Sequence, residues 1–318
     1  MTVRALDPAA VAGMATIARM AAAEGELNDF IPALASVPRD KFGLVLSDMS
    51  GELVSLGACQ ETFSIQSISK LLVLIALVRD SGDELWLRIG ARGSTAERFD
   101  SIAMLEFNRG IPTNPFLNAG ALVMTDMLLE RTDAPQAAIE ELLFALTGDP
   151  AMSVNQDVAA SEIQTADRNR ALGYYLRSWG NLKQDVGRVV ELYCRLCATE
   201  LSCLQLARIG ANLAIPGKLP WLSGSDHERL LSVLRDCGLY GDSFDVGVRF
   251  GLPAKSGSGG GILAIVAGRY GLGVWSPPLA AGGNSAGGMS ILRQLGRALD
   301  GASVLLPHPD NLFRREQV

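Results

Sequence analysis

Ser67 and Lys70, three residues apart, are the first residues in this sequence whose types and spacing could do chemistry. In a helix, that spacing places both side chains on one face, so the lysine can reach the serine hydroxyl. Burial against the apolar run Leu71–Val78 would lower the pKa of Lys70, and a neutral lysine can serve as base for a serine nucleophile. The alternative is a helix-capping Ser67 followed by a solvated Lys70. A second group is therefore needed to decide between them.

That second group lies near the end of the chain, where Lys255-Ser256-Gly257 is followed by the glycine run 259–261. Glycines let the backbone approach a ligand and aim an N–H at it, as an oxyanion hole requires. A phosphate-binding loop does not fit, because its lysine and hydroxyl follow the last glycine and precede a helix. A dinucleotide loop does not fit either, because Ile262 stands where G-x-G-x-x-G needs glycine. Together, the two groups match the serine–lysine arrangement of the penicillin-recognising acyl enzymes.

Histidine is too scarce for the commoner hydrolase chemistries, since His227 and His308 are the only two. Serine and cysteine hydrolases usually need a histidine base, and many metal sites need several histidines. Another residue type should therefore do any acid and base chemistry, and we expect no metal or organic cofactor. Five cysteines, an odd and widely spread set, indicate reduced thiols in a cytoplasmic protein. We interpret Cys194 and Cys197 as packed thiols on a helix.

The charge balance and the apolar runs exclude several partner classes. A net charge of −6 argues against binding to nucleic acid or to an anionic membrane, which requires a concentrated basic face. The longest apolar run is Leu71–Val78, whereas a membrane-spanning helix needs roughly twenty residues. Charged residues interrupt the start of the chain, so it lacks the continuous apolar region of a signal peptide.

Strand patterns lie near both ends of the chain and helical patterns lie between them. The strand patterns are a hairpin of Phe42–Ser47 with Leu53–Leu56, then Asp245–Phe250, Gly261–Ala267 and Tyr270–Trp275. The helical patterns are Pro8–Ala23, Ser67–Val78, Ser101–Phe107, Gly120–Leu129, Ala137–Leu146, Arg168–Trp179, Asp185–Cys197, Ser202–Leu213, Asp226–Asp236 and Ser285–Leu299. This order predicts a sheet built from both chain ends with a helical lobe inserted.

Several longer stretches resemble the serine-dependent glutaminase family. They are Phe63–Lys70, Asn114–Ala121, Asp167–Asn169 with Gly173–Leu176, Gly251–Gly257 and Trp275–Leu279, and the resemblance runs in order from about Asn28 to about Ser285. It implies a β-lactamase/transpeptidase-like α+β, multi-helical fold with a mixed sheet, in which an antiparallel sheet from both chain ends carries an inserted helical lobe. It also implies a single domain over residues 1–318, with a sheet lobe of about 1–65 plus 240–318 and a helical lobe of about 66–239.

The resemblance further implies an enzyme that hydrolyses L-glutamine to L-glutamate and ammonia through a γ-glutamyl ester. Ser67 would be the nucleophile, with Lys70 and Tyr240 in proton transfer. Ser258 would add its backbone N–H to that of Ser67 in the oxyanion hole. The implied substrate-binding residues are Ser67, Asn118, Glu162, Asn169, Tyr193, Tyr240 and Ser258. A homodimer or homotetramer is implied as well.

Two departures from the family pattern keep alternatives open. Phe30 stands where family members usually carry a tyrosine that contributes a hydroxyl to the active site, and Ser258 replaces a usual valine. A catalytically impaired amino-acid-binding relative is therefore an alternative. A penicillin-recognising serine hydrolase is another, with Ser153-Val154-Asn155 as its S-x-N element. The segment between Glu162 and Asn169 could be a continuous helix or could break into a loop near Thr165.

Overall fold

A computed structural model describes residues 8–93, 100–149 and 152–300, which contain twelve α-helices and eight strands. The strands are β1 Gly43–Asp48, β2 Leu53–Gly57, β3 Thr62–Ser64, β4 Ser153–Val154, β5 Thr199–Ser202, β6 Ala254–Ser256, β7 Gly261–Val266 and β8 Tyr270–Trp275. The helices are α1 Pro8–Ala23, α2 Ser69–Ser81, α3 Asp83–Arg88, α4 Ala103–Phe107, α5 Asn118–Arg131, α6 Pro135–Thr147, α7 Gln156–Gln164, α8 Asp167–Ser178, α9 Val186–Cys197, α10 Cys203–Leu213, α11 Gly224–Cys237 and α12 Ala286–Asp300. His308 lies outside the described residues.

The larger sheet joins the two ends of the chain. Its strand order is β2-β1-β8-β7-β6, so β1 pairs with both its hairpin partner and a late strand. In this register Leu44 stands opposite Leu56 on one side and Val274 on the other. The expected antiparallel sheet from both chain ends is confirmed. Every strand pair in the described residues is antiparallel, so the sheet there is antiparallel rather than mixed.

Both faces of this sheet are buried, and the strand alternation decides which residues face which layer. On β7, Ile262 and Ala264 pack with α1 and α12, whereas Leu263 and Ile265 pack with the core that contains α10. Helix α10 lies very close to β8, because a Cβ at Gly271 would collide with the α10 backbone. Each fully buried leucine or isoleucine contributes roughly 1.5–3 kcal/mol. The sheet is therefore a firm support for the loops at its ends.

Helix α2 lies in the middle of the helical region, in contact with α5, α6 and α11. Its run Leu71–Ile75 is almost fully buried, as the sequence predicts. The other predicted helices occur within about three residues of their expected bounds. Side-chain caps define some of the starts: Asp185 accepts from Arg188 N at 3.0 Å before α9, and Ser202 forms a capping box with Gln205 before α10.

The expected strand at Asp245–Phe250 is wrong, because Phe244–Val248 forms one π-helical turn. The valines and the phenylalanine of this segment suggested a strand, yet only Val246 among them is fully buried. Gly247 packs against the Arg235 carbonyl at the end of α11, so a helical turn covers that helix end. A second, three-stranded sheet of order β3-β5-β4 and helices α3 and α7 were not predicted.

Among the described residues, no helix is both long enough and apolar enough to cross a bilayer.

Candidate active site

Ser67 lies in a single 3-10 turn, Gln66–Ile68, that joins β3 to α2. The turn begins at Gln66, whose φ of 51° is in the left-handed region that non-glycine residues rarely adopt. The chain before it is anchored, because Ile65 N donates to Thr199 O at 2.8 Å next to the β3–β5 pair. Ser67 itself is partly exposed. The predicted serine therefore stands at the N-terminal end of a buried helix, reachable from solvent.

Lys70 lies in the first turn of α2 and is only 1% exposed. Its Nζ donates to Phe116 O at 2.9 Å and to Asn118 Oδ1 at 2.8 Å. Burial lowers the pKa of Lys70 to about 8, although the nearby Cys197 and Glu162 act in the opposite direction. Those two acceptors use two of the three hydrogen-bonding positions on Nζ. A neutral lysine is therefore accessible slightly above neutral pH.

Tyr240 begins a 3-10 turn shortly after α11, which ends at Cys237, and, like Gln66, it has a positive φ, 53°. Its side chain hydrogen bonds with Ser67. Burial raises the pKa of Tyr240 to about 12, with the Ser67 hydrogen bond acting in the opposite direction. The Lys70 Nζ lies 6.0 Å from the centre of its ring. The site thus holds a neutral phenol beside the serine and the lysine.

Asn118 connects Lys70 to the polar end of the site. Its Oδ1 accepts from Lys70 and, at 3.4 Å, from the Tyr193 hydroxyl, while its Nδ2 donates to Asn169 Oδ1 at 2.9 Å. Helices α5, α8 and α9 supply these three polar residues. Burial raises the pKa of Tyr193 well above its usual range, so its hydroxyl remains protonated. The cluster can therefore present neutral amide and phenol groups to a ligand.

Glu162 is a buried carboxylate, 7% exposed, on helix α7. That helix ends at Gln164 and α8 begins at Asp167, so the break near Thr165 is the outcome of the two sequence alternatives. Burial raises the pKa of Glu162 to about 7, against hydrogen bonds with Cys197 and Gln66 that lower it. Its Oε2 is buried and has no hydrogen-bond partner in the described part of the protein. A buried carboxylate oxygen of this kind is strongly favoured to pair with a cation.

Ser258 lies in the turn between β6 and β7, packed against the segment that leads into Ser67. A Cβ at Gly257 would collide with Ile65 O, and one at Gly259 with Ser64 O. The glycines on both sides of Ser258 therefore permit a close approach that larger residues would prevent. The Ser258 hydroxyl donates to Gln66 Oε1 at 3.3 Å.

The structure thus brings all the predicted site residues together through direct contacts or through one intervening residue: Ser67, Lys70, Asn118, Glu162, Asn169, Tyr193, Tyr240 and Ser258. Their side chains come from separate helices and from turns at the edge of the sheet. The arrangement places a serine, a lysine and a phenol beside two amides, a second phenol and one carboxylate. Such a set can carry out nucleophilic acyl transfer on a substrate that bears an amino acid head group.

Three residues that the sequence analysis named only for an alternative or a departure are not part of this cluster. Ser153 and Asn155 of the S-x-N candidate both donate to Glu200, at 3.0 and 3.1 Å, so they support the small sheet and the start of α7. The Phe30 ring is 62% exposed. Its segment is nevertheless tied to the site, because Asn28 Nδ2 donates to Ser258 O at 3.3 Å.

Sequence reasoning missed other side chains of the site. Cys197 was correctly interpreted as a buried free thiol, but it also contacts Glu162 and Tyr193. Gln66, next to Ser67, connects Glu162 to Ser258. Lys255 was noted only as part of a motif, and its Nζ lies 4.4 Å from the centre of the Tyr240 ring. Adjacency to Ser67 was the one available signal for Gln66, whereas nothing local indicated the role of Cys197.

Comparisons with known proteins agree with this geometry. A protein-family model described as Glutaminase matches residues 25–302. A glutaminase of Ralstonia nicotianae is 41% identical over 286 residues, covering 88% of this chain and 93% of that protein. A glutaminase of Aeromonas hydrophila is 42% identical over 282 residues, covering 87% and 92%.

Solved structures with this fold carry similar descriptions. Probable glutaminase ybaS matches with a TM-score of 0.82 and 32% identity, over 93% of this chain and 98% of that one. A probable glutaminase from Bacillus subtilis, complexed with 6-diazo-5-oxo-L-norleucine, matches with a TM-score of 0.81 and 28% identity, over 94% and 97%. The expected fold, with its sheet from both chain ends and its helical region, is confirmed.

Proposed function

The chain belongs to the glutaminase family and is a glutaminase, an amidohydrolase; from this premise we propose that it hydrolyses L-glutamine through an acyl-enzyme on Ser67. The observation that carries the proposal is the buried Lys70, whose pKa of about 8 and position one helical turn from Ser67 suit a general base. The glutaminase assignment makes the penicillin-recognising alternative unnecessary, and Ser153 and Asn155 have structural partners of their own.

In the first half of the reaction, neutral Lys70 accepts the Ser67 proton while Oγ forms a bond to the side-chain carbonyl carbon of glutamine. The negative charge on the carbonyl oxygen is met by the backbone N–H groups of Ser67 and Ser258. The bond from carbon to nitrogen then breaks, and the departing nitrogen takes a proton through Tyr240 and leaves as ammonia. The γ-glutamyl ester on Ser67 remains.

In the second half, a water molecule replaces ammonia at the same place. Lys70 and Tyr240 take one proton from the water as its oxygen bonds to the ester carbon, and the bond to Ser67 Oγ breaks with return of a proton to Oγ. Glutamate leaves, and the protonation states of the site are restored. The hydrogen bond between Tyr240 and Ser67 supports this role, because it places a neutral phenol beside the reacting oxygen.

The remaining polar residues recognise the head group that every α-amino acid carries. The unpartnered carboxylate oxygen of Glu162 suits the α-ammonium group, and the amides of Asn118 and Asn169 with the Tyr193 hydroxyl suit the α-carboxylate. Because both ends of the head group are held, the length of the side chain decides whether its amide carbon meets Ser67. Asparagine, which is one methylene shorter, should be a poor substrate.

An ammonia-release assay with glutamine and asparagine, followed across pH, tests the proposal. We expect glutamine to be preferred by about 100-fold in kcat/KM, because a reacting atom displaced by about 1 Å costs that much. We also expect kcat to rise with pH and to level off above about pH 8, as Lys70 becomes the neutral base. Equal rates with the two amides, or a kcat independent of pH with chemistry rate-limiting, would contradict the proposal.

Glu162→Gln should weaken substrate binding far more than it slows the chemical step. We expect KM for glutamine to rise about 100-fold, because a buried amide replaces the partner of the ammonium group. In the unmodified enzyme KM should fall as pH rises through about 7, where Glu162 gains its charge, and the variant should lack this dependence. Glu191→Gln is the matched control, since that carboxylate is 55% exposed and pairs with Arg195. An unchanged KM in Glu162→Gln would disprove the assignment.

The remaining sequence-based expectations are part of the same proposal. A single catalytic domain over residues 1–318 acts in the cytoplasm as a homodimer or homotetramer. Free thiols at all five cysteines support a reducing compartment. Phe30 lacks the hydroxyl usual at its position in the family, and we expect this loss to lower the efficiency of the reaction and to leave its type unchanged. Light scattering of the purified protein establishes the assembly state.

A further inference from the structure

The turn that carries Tyr240 has a backbone conformation that needs outside support. Its φ of 53° is uncommon for any residue except glycine, and it persists only where surrounding groups determine it. Gly238 and Leu239 connect α11 to this turn, and they pack so tightly that a Cβ at Gly238 would collide with Ala254 O. Neighbouring groups must therefore keep this backbone from relaxing to a commoner conformation, in which the Tyr240 hydroxyl would no longer point toward Ser67.

Two buried side chains donate hydrogen bonds to the backbone carbonyl groups of the two residues before Tyr240. Lys255 Nζ donates to Gly238 O at 3.0 Å, and Asn284 Nδ2 donates to Leu239 O at 2.9 Å. Both side chains are 0% exposed. Asn284 also donates to Asp242 Oδ2 at 2.7 Å, on the other side of Tyr240. The turn is therefore held both before and after the tyrosine.

Lys255 also touches the tyrosine itself. Its Nζ lies 4.4 Å from the centre of the Tyr240 ring, close enough to restrict the position of that ring. The same Nζ donates to Ser256 O at 2.8 Å. Two carbonyl groups and the Tyr240 ring thus surround the head group of Lys255, with the Phe116 ring farther away at 5.6 Å. Ser256 Oγ donates to Asn284 Oδ1 at 2.5 Å, which joins the two side chains into one unit.

We infer that Lys255 and Asn284, joined through Ser256, form a clamp that keeps Tyr240 in its working position and that neither side chain contacts the substrate. We call this group the Tyr240 clamp. The inference rests on the proposed function, because it gives the K-S-G motif a purpose only if Tyr240 takes part in proton transfer. Lys255 and Asn284 are positioning residues that act through the tyrosine.

A double-mutant cycle between Lys255→Met and Tyr240→Phe tests the clamp. We expect Lys255→Met to lower kcat by about 100-fold and to leave KM for glutamine within about two-fold, since the lysine holds the tyrosine and not the substrate. In the Tyr240→Phe background, where the hydroxyl is already absent, Lys255→Met should lower kcat by no more than about three-fold further. A large rise in KM for Lys255→Met would overturn the clamp and assign the lysine to substrate binding.

The same cycle separates failure of the clamp from failure of the proposed function. If Tyr240→Phe loses activity but Lys255→Met keeps its full effect in that background, the clamp is overturned and the role of Tyr240 stands. If Tyr240→Phe retains full activity, the proton-transfer role of Tyr240 is wrong and the clamp falls with it.

Asn284→Ala provides a second variant if Lys255→Met does not fold. It removes the bond to Leu239 O and should lower kcat about ten-fold with unchanged KM, again only when the tyrosine hydroxyl is present. Asn212→Ala is the matched control, because Asn212 Nδ2 donates to the backbone Leu146 O at 2.7 Å and takes no part in the site. Its kcat should stay within about two-fold of the unmodified enzyme. An effect of Asn284→Ala no larger than that of the control would overturn the role of Asn284.

Discussion

Ser67→Ala is expected to reduce ammonia release from glutamine by roughly 10⁴-fold or more. The substitution removes the oxygen that forms the γ-glutamyl ester, and the remaining site can only hold glutamine beside water. Because Ser67 is partly exposed and its turn is held by backbone bonds, alanine should fold into the same conformation. Glutamine should still bind, since the groups assigned to its head group are untouched. Initial-rate assays and equilibrium binding measure the two effects separately.

Ser69→Ala is the matched control for that experiment. Ser69 lies two residues away in the same segment, is buried, and contacts Cys197 Sγ at 3.7 Å. Its loss should change kcat by only a few-fold. Mass spectrometry of enzyme quenched during turnover should find a γ-glutamyl group on the peptide that contains Ser67. Turnover by Ser67→Ala close to that of the unmodified enzyme, or an adduct on another residue, would disprove the acyl-enzyme.

Lys70→Met is expected to lower kcat by about 10³- to 10⁴-fold. Methionine has a similar length and suits a site that is only 1% exposed, but it cannot accept the Ser67 proton. The rise of kcat toward a plateau above about pH 8 should disappear with the lysine, because its titration is the proposed cause. Profiles of kcat against pH for the two proteins provide the measurement.

Lys183→Met serves as the control, since that lysine is 54% exposed and pairs with Glu130 away from the site. It should retain both the rate and the pH dependence of the unmodified enzyme. A residual rate in Lys70→Met that still rises with an inflection near pH 8 would mean that another group is the base. Thermal unfolding of each variant shows whether the lost bonds to Phe116 O and Asn118 Oδ1 have altered the fold.

The parts of the site that depend on neighbours in the sequence were predictable from the sequence. Ser67 and Lys70 are three residues apart, and the apolar run after them fills a helix that the structure buries, so the closeness of the two residues follows from local geometry. The hairpin and most helices were found in the same way, because their periodicity and caps are local signals. Asn118, Glu162, Asn169 and Tyr193 were identifiable only through the family resemblance, since each is an ordinary residue in its own segment.

Features that depend on distant contacts were not predictable. The pairing of β3 with β5 joins segments far apart in the chain and both strands are short, so neither has a strong pattern. Gln66 and Tyr240 have positive φ values, which neither residue type indicates in a sequence. The two turns are held by residues that are distant in the chain. At Phe244–Val248 the valine and aromatic content suggested a strand, but packing on the end of α11 favours a helical turn.

The pairing of β1 with β8 also determines when, during synthesis, the enzyme can become active. Gly43 stands opposite Trp275, so roughly 230 residues separate the two, and at about 5–20 residues per second the ribosome makes the second some 10–45 s after the first. Throughout that interval one edge of the β1–β2 hairpin lacks its partner strand. Tyr240 and Ser258 are added to the nascent chain only in the last part of the same interval. Nascent chains should therefore stay inactive and exposed to strand-to-strand aggregation until the last strands leave the ribosome.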